Sequence, residues 1–240
     1  FYPIPVKDAL EVVQSNESTF IQSGIPVDGP AEKNLVIKAL NLLKSQYDIP
    51  PLEVRLLKNI PFGAGLGGGS ADAACMLKLI NEFCSLRIPE EHLELMASTL
   101  GADCPFFIRN KPVFASGIGN IFEPVNLSLH DYYLCLIKPD ISVSTPEAYS
   151  LVKPAQPIVS LKKIIEMPVE EWREVMFNAF EKSVFAKQPV IEALKNALYE
   201  EGAVYASMSG SGSSVFGLFK KPTNLKDQFT SCFVWEGKLQ

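Results

Sequence analysis

An α+β fold in two parts is predicted by three observations on this chain of 240 residues. Strand and helix patterns alternate through the first half. A polar Leu127-Ser128-Leu129-His130-Asp131 stretch breaks the texture near Leu129, and the second half mixes helical periods with short apolar strands. The length suits one large domain or two modest ones, each with its own core, and the boundary is placed between 1–129 and 130–240.

The first strand is read at Ala9-Leu10-Glu11-Val12-Val13 and the first helix over Asn34 to Ser45, where Leu35, Val36, Ala39, Leu40, Leu42 and Leu43 form a one-sided apolar stripe. A strand from Leu52 to Ile60 follows and leads into a glycine-rich segment. The next helix carries Met76, Leu77, Leu79, Ile80 and Phe83 on one face and stops before Pro89. A third helix, from about Pro89 to Leu100, is expected to end with Gly101 as its C′ residue. Gly101-Ala102-Asp103-Cys104-Pro105-Phe106-Phe107 then sets one carboxylate between that helix end and what reads as an apolar strand. In the second half, Tyr132 to Ile137 reads as a strand. Helices are expected around Pro146 to Leu151, Leu161 to Met167, Glu170 to Phe180 and Val190 to Glu200, with strands at Ala203 to Met208, Val215 to Lys220 and near Cys232 to Trp235.

The segment with most chemical content is Pro61-Phe62-Gly63-Ala64-Gly65-Leu66-Gly67-Gly68-Gly69-Ser70-Ala71, which places five glycines among the seven positions from Gly63 to Gly69. Without a Cβ the backbone takes positive φ and turns successive N–H groups toward an anion, and the following helix adds its own unpaired N–H groups. Ser70 is the expected N-cap. Gly63, Gly65 and Gly68 also fit the G-x-G-x-x-G spacing of dinucleotide folds, but helix rather than a second strand with an acidic end follows. A Walker A loop needs Gly-Lys-Ser/Thr at its end, where this one has Gly69-Ser70-Ala71, and the His-Arg-Asp and Asp-Phe-Gly strings of protein kinases do not occur. Asp103, among Ala, Cys, Pro and Phe, is either a turn aspartate bonded to nearby backbone or a base for a substrate hydroxyl.

Hydrophobic residues make up 47% and charged residues 20%, the net charge is −5, and Lys and Arg are scattered. Nucleic acid and anionic membrane are therefore not expected partners. The five cysteines are widely spaced without a C-x-x-C and are expected to be buried free thiols in a reducing cytoplasm, with no metal site. No run approaches the roughly 20 apolar residues of a membrane span. The strand-like opening Phe-Tyr-Pro-Ile-Pro-Val leads to the expectation that something precedes Phe1.

Three segments, Pro61 to Ala74, Gly101 to Phe107 and Met208-Ser209-Gly210-Ser211-Gly212-Ser213, resemble the GHMP small-molecule kinases, and the similarity runs along nearly the whole chain. The resemblance implies a two-domain fold, with an N-terminal ATP-binding domain like ribosomal protein S5 domain 2 and a ferredoxin-like C-terminal domain. It implies ATP and Mg2+ as cofactors and a small-molecule substrate. The Gly-Leu-Gly-Gly-Gly-Ser loop and the Gly-Ala-Asp-x-Pro-Phe box imply phosphorylation of the 2-hydroxyl of a cytidine diphosphate-linked methylerythritol, in non-mevalonate isoprenoid precursor synthesis. Another GHMP kinase acting on a mevalonate-type alcohol and a nucleotide-binding pseudokinase stand as alternatives.

By position, Pro61 to Ala71 would wrap the ATP phosphates, with Ser70 on a phosphate or on the magnesium ion, and Asp103 would orient and deprotonate the acceptor hydroxyl. Asn34 and Lys58 match positions near the nucleotide base, beside a helix-capping reading for Asn34 and a solvated-charge reading for Lys58. Thr145, Pro146 and Tyr149 match the substrate side, Tyr149 as the aromatic that stacks on cytosine, with core packing as its alternative. The Gly210 to Ser214 turn matches the third family motif, or is a tight turn only. The family's opening Pro-x-Lys-x-Asn-Leu strand and Asp-Gly-Tyr-His segment do not occur in these residues. The chain taken as it stands is expected to lack that lysine's contribution to phosphoryl transfer. A cytoplasmic enzyme, monomer or weak homodimer, is the resulting expectation.

Overall fold

The computed structural model describes residues 1–26, 29–152 and 157–240. They fall into two compact units, Phe1–Phe62 with Gly67–Val125, and Gly63–Leu66 with Asn126–Gln240.

The first unit is built on a three-stranded sheet. Strands β1 (Ala9–Gln14) and β2 (Thr19–Gly24) flank β3 (Leu52–Lys58), β1 antiparallel and β2 parallel to it. A parallel neighbour needs a crossover, and helix α1 (Leu35–Lys44) lies within it. The side chains of β3 alternate, so Leu52, Val54 and Leu56 face inward. They join Val36, Ala39, Leu40 and Leu43 of α1 in one core. Helix α2 (Gly68–Phe83) adds Met76, Leu77 and Ile80, all fully buried. Burying each contributes roughly 1.5–3 kcal/mol, which anchors the helix whose N-terminus follows the glycine loop. Helices α3 (Glu90–Leu100) and α4 (Phe106–Arg109) and the hairpin of β4 (Val113–Ser116) and β5 (Ile121–Pro124) complete the unit.

In the second unit, an antiparallel sheet runs in the order β7-β8-β6-β9. Strand β6 (Tyr133–Pro139) lies between β8 (Val215–Phe219) and β9 (Cys232–Lys238), and β7 (Tyr205–Met208) takes one edge. The helices are α5 (Thr145–Leu151), α6 (Leu161–Ile164), α7 (Trp172–Val175), α8 (Glu181–Lys187) and α9 (Pro189–Glu200). Ile191, Leu194 and Leu198 of α9 pack on Cys135, Ile137 and Val215 of the sheet. No helix among the described residues is long and apolar enough to cross a membrane.

Several expectations are corrected. Helix α2 begins at Gly68 with Gly67 as its N-cap, so Ser70 already lies in the first turn. Gly67 adopts φ +66°, which lets the chain enter the helix three residues earlier. Gly101 ends α3 in extended backbone rather than as a left-handed C′ residue. The apolar run after Asp103 is the helical turn α4, because Pro105 sits at helical φ and ψ. The helix expected over 170–180 breaks at Met176, whose backbone is extended, and a separate α8 follows. The helix expected to Met167 ends at Ile164. All five cysteines are free, but only Cys104 and Cys135 are buried.

Candidate functional site

The glycine loop follows from local backbone demands. Gly63, Gly65 and Gly67 take φ of +64°, +70° and +66°, values that L side chains adopt only under strain. At Gly65 space is also closed. A Cβ there would stand 2.2 Å from the Ser209 carbonyl oxygen and 2.9 Å from that of Gly212. The Ser209 hydroxyl donates to the Gly65 carbonyl at 2.7 Å, and the Ser214 N–H donates to the Ala64 carbonyl at 3.3 Å. The Ser209 to Ser214 turn therefore braces the Gly63–Leu66 stretch.

That turn is itself held by residues that sequence reasoning missed. Asn178 donates from Nδ2 to the carbonyls of Met208 and Gly210, both at 2.8 Å. The buried Glu181 accepts from Met208 N–H at 2.8 Å and Ser207 Oγ at 3.1 Å, while Lys195 Nζ donates to its other oxygen at 2.6 Å. In the same unit, Thr145 Oγ1 lies 3.1 Å from Ser211 Oγ, and Thr145 and Pro146 are the first two residues of α5. Tyr149 is 63% exposed and meets Phe180 edge-on at 4.8 Å, so it is not a core tyrosine.

In the first unit, the loop enters α2 over tightly fitted ground. A Cβ on Gly67 would stand 2.9 Å from the Phe107 ring, and one on Gly68 3.0 Å from Ile60 Cγ2. Phe107, in the helical turn that follows Asp103, thus lies against Gly67, the N-cap of α2. Asp103 stands four residues before Phe107, so the carboxylate-bearing turn leads onto the segment packed at the start of the helix. Asp103 itself is exposed, and no ion pair or hydrogen bond engages its side chain among the described residues. Protein around the carboxyl removes enough water to push its pKa above the ordinary carboxylate value.

Asn34 caps α1, its Oδ1 accepting from Val36 N–H at 2.9 Å and its Nδ2 donating to Gln22 Oε1 at 3.3 Å. The capping reading is thus fulfilled. Lys58 is not a solvated charge. It continues the inward phase of Leu52, Val54 and Leu56 in β3, is 5% exposed, and pairs with Asp8 and, at 2.7 Å, with Asp72. Burial pushes the Asp72 carboxyl up to about 6, against the pull of the Lys58 ammonium. Asp72 was legible as an oddity, a charge in the run Ala71-Asp72-Ala73-Ala74 on the core side of a helix.

Of the residues singled out in the sequence, the first unit holds Asn34, Lys58, Pro61, Phe62, Gly67 to Ala71 and Asp103, and sets Lys58 beneath Gly68. The second holds Gly63 to Leu66, Thr145, Pro146, Tyr149 and the Ser209 to Ser214 turn. Within the first unit, a left-handed Gly67 leads into a helix N-terminus that no side chain caps, which suits an anion, and Asp103 offers an exposed carboxylate of raised proton affinity. No group of three or more His, Cys, Asp or Glu residues able to hold a metal occurs among the described residues.

Comparison with known proteins agrees with this geometry. The model of the GHMP kinases N terminal domain matches residues 34–111 and that of the GHMP kinases C terminal domain matches 160–233. A 4-diphosphocytidyl-2-C-methyl-D-erythritol kinase of Parabacteroides distasonis is 70% identical, over 100% of this chain and 89% of its own length. One from Bacteroides fragilis is 56% identical over the same shares. The crystal structure of a 4-(cytidine 5'-diphospho)-2C-methyl-D-erythritol kinase superposes with a TM-score of 0.82 at 29% identity, covering 97% of this chain and 85% of that one. The mevalonate kinase of Methanococcus jannaschii, at 12% identity and a TM-score of 0.67 over 97% of this chain and 88% of that one, shares the fold. This chain belongs to the GHMP kinase family.

Proposed function

We infer that this chain transfers the γ-phosphoryl group of ATP to the 2-hydroxyl of 4-diphosphocytidyl-2-C-methyl-D-erythritol, a step of non-mevalonate isoprenoid precursor synthesis. The acceptor is the one named for relatives that are 70% and 56% identical over the whole chain. The observation that carries the chemistry is Asp103, an exposed carboxylate whose side chain no ion pair or hydrogen bond engages among the described residues, on the turn leading to Phe107, which packs on Gly67 at the start of α2.

In this reading Pro61 to Ala71 hold the nucleotide phosphates through backbone N–H groups, and Ser70 adds its hydroxyl. The positive-φ glycines and the open surface at Gly63, where a Cβ would meet nothing within 4 Å, fit such a ligand. ATP supplies the phosphoryl group, and Mg2+ travels with its phosphates, as usual for this ion. Asp103 orients the acceptor hydroxyl and takes its proton as the oxygen attacks, so that the phosphorylated alcohol, ADP and a proton are the products. Tyr149 presents an exposed ring for the cytosine, with Thr145 and Pro146 beside it at the start of α5. Asn34 and Lys58 belong to the nucleotide end through the elements they anchor, their side chains being engaged by Val36 and Gln22 and by Asp8 and Asp72. Residues 1–129 then form the ATP-binding domain, which also supplies Asp103 to the acceptor, and 130–240 the C-terminal domain, which supplies Thr145, Pro146 and Tyr149, in a cytoplasmic enzyme acting as a monomer or weak homodimer.

The test is a panel of alcohols with ATP. Phosphorylation of the cytidyl acceptor in preference to mevalonate and homoserine is the result expected. Preference for mevalonate, or nucleotide binding without transfer to any acceptor, overturns the assignment.

A further inference from the structure

We propose that Asp8, Lys58 and Asp72 form a buried clamp that closes the glycine loop at its base and positions the first turn of α2 for the nucleotide phosphates. The inference rests on the functional reading above and adds three residues that act on the nucleotide without touching it.

The loop leaves β3 after Lys58 and returns to ordered structure at Gly68. Asp8 secures the outgoing end. Its Oδ1 accepts from Asn59 N–H at 2.6 Å and from Ile60 N–H at 2.8 Å, and Asn59 Nδ2 donates to the Lys7 carbonyl at 3.2 Å. Asp72 secures the returning end from the second turn of α2. Lys58 joins the two, its Nζ donating to Asp8 Oδ2 and, at 2.7 Å, to Asp72 Oδ2. The three side chains are 4%, 6% and 9% exposed for Asp8, Lys58 and Asp72, so the pairing is shielded from water. The ammonium lies beneath the helix start, where a Cβ on Gly68 would come within 3.7 Å of Nζ.

A loop rich in glycine is costly to order, because its unfolded and open forms are many. A bridge joining residue 58 to residue 72 removes part of that freedom before any ligand arrives, which is how preorganised sites gain affinity. Lys58 as a direct nucleotide contact is the competing account. Two carboxylates already engage its ammonium, which leaves at most one of three donors for a ligand.

A double-mutant cycle separates the two accounts. The dissociation constant of MgADP is measured by calorimetry for the wild type, Lys58→Met, Asp72→Asn and the double variant, with the cytidyl acceptor titrated in parallel and thermal melts recorded. The clamp predicts that each single change weakens MgADP about tenfold, that the double variant is no weaker than the worse single, and that acceptor affinity moves less than about twofold. Additive losses, near 100-fold in the double variant, would show Lys58 acting on the nucleotide directly. A lowered melting point with unchanged MgADP affinity would leave the cluster a structural one, and either result overturns the clamp. If Lys58→Met does not fold, the same cycle is run on Asp8→Asn and Asp72→Asn, whose losses must again fail to add. A wild type that binds MgADP but phosphorylates no cytidyl acceptor defeats the functional reading while leaving the cycle decisive.

Discussion

Two aspartates of the first unit share one physical circumstance and differ in another. Removal of water raises the pKa of both Asp72 and Asp103. Asp72 is spent on Lys58 in the core, whereas Asp103 stands exposed on a turn with no ion pair or hydrogen bond to its side chain among the described residues. The difference teaches that a raised pKa by itself does not mark a catalytic base. Reach toward solvent does, because a proton acceptor must meet a substrate, while a carboxylate locked on an ammonium gains nothing by letting go.

The largest effect expected is chemical. Asp103→Asn should lower the rate of phosphoryl transfer by about 10²-fold or more with the melting point retained, measured by turnover and thermal denaturation. The wild-type profile of kcat/KM against pH sharpens the point. A base must be unprotonated, so activity falls as pH drops through its pKa, and the raised pKa of Asp103 sets this acid limb above the ordinary aspartate value of about 3.9. In Asp103→Asn that limb should vanish, and its persistence would assign it to another group.

Lys58→Met is next and acts on the fold. It leaves Asp8 and Asp72 facing each other without a cation, a change that typically costs about 3–5 kcal/mol and is read by denaturant unfolding. Tyr149→Ala touches neither aspartate and serves as a control. Loss of a base-stacking ring, worth about 1–3 kcal/mol, should raise KM for the cytidyl acceptor about tenfold while KM for ATP stays fixed. Smallest is Glu170→Gln, which removes a surface pair with Lys220. That pairing lowers the Glu170 pKa, so its slight stabilisation is present above the unfolded-state pKa and fades as pH falls through the folded one. Melting curves should differ little between the variant and the wild type at neutral pH and not at all in acid.

Much of the first unit could be read along the chain because its signals are local. The stripe of α1 and its Asn34 cap lie within a dozen consecutive residues, and the glycine run permits the positive φ that Gly63, Gly65 and Gly67 adopt. The loop was legible as an anion cradle from its glycines, and Asp103 as either a turn aspartate or a base from its apolar neighbours, while the resemblance to the GHMP kinases assigned their roles. The fate of Lys58 was only half visible. Its inward phase in β3 could be counted from Leu52, Val54 and Leu56, but its partners lie 50 and 14 positions away, and nothing local announces them. Ser70 failed as a cap because a left-handed Gly67 starts the helix earlier. Phe106 to Arg109 reads as a strand from its apolar side chains and is a helical turn because Pro105 fixes the preceding φ. Asn178 and Glu181 were missed because each is an ordinary polar residue until the fold sets it against the Met208 backbone.

The contrast between the two aspartates is tested most directly by measuring the MgATP dissociation constant and the single-turnover transfer rate side by side in Asp103→Asn and Asp72→Asn. Asp103→Asn should bind MgATP as the wild type does and transfer at least about 10²-fold more slowly, while Asp72→Asn should bind about tenfold more weakly and, once saturated, transfer at nearly the wild-type rate. A slow, saturated Asp72→Asn together with a fast Asp103→Asn would contradict the account and exchange the two roles.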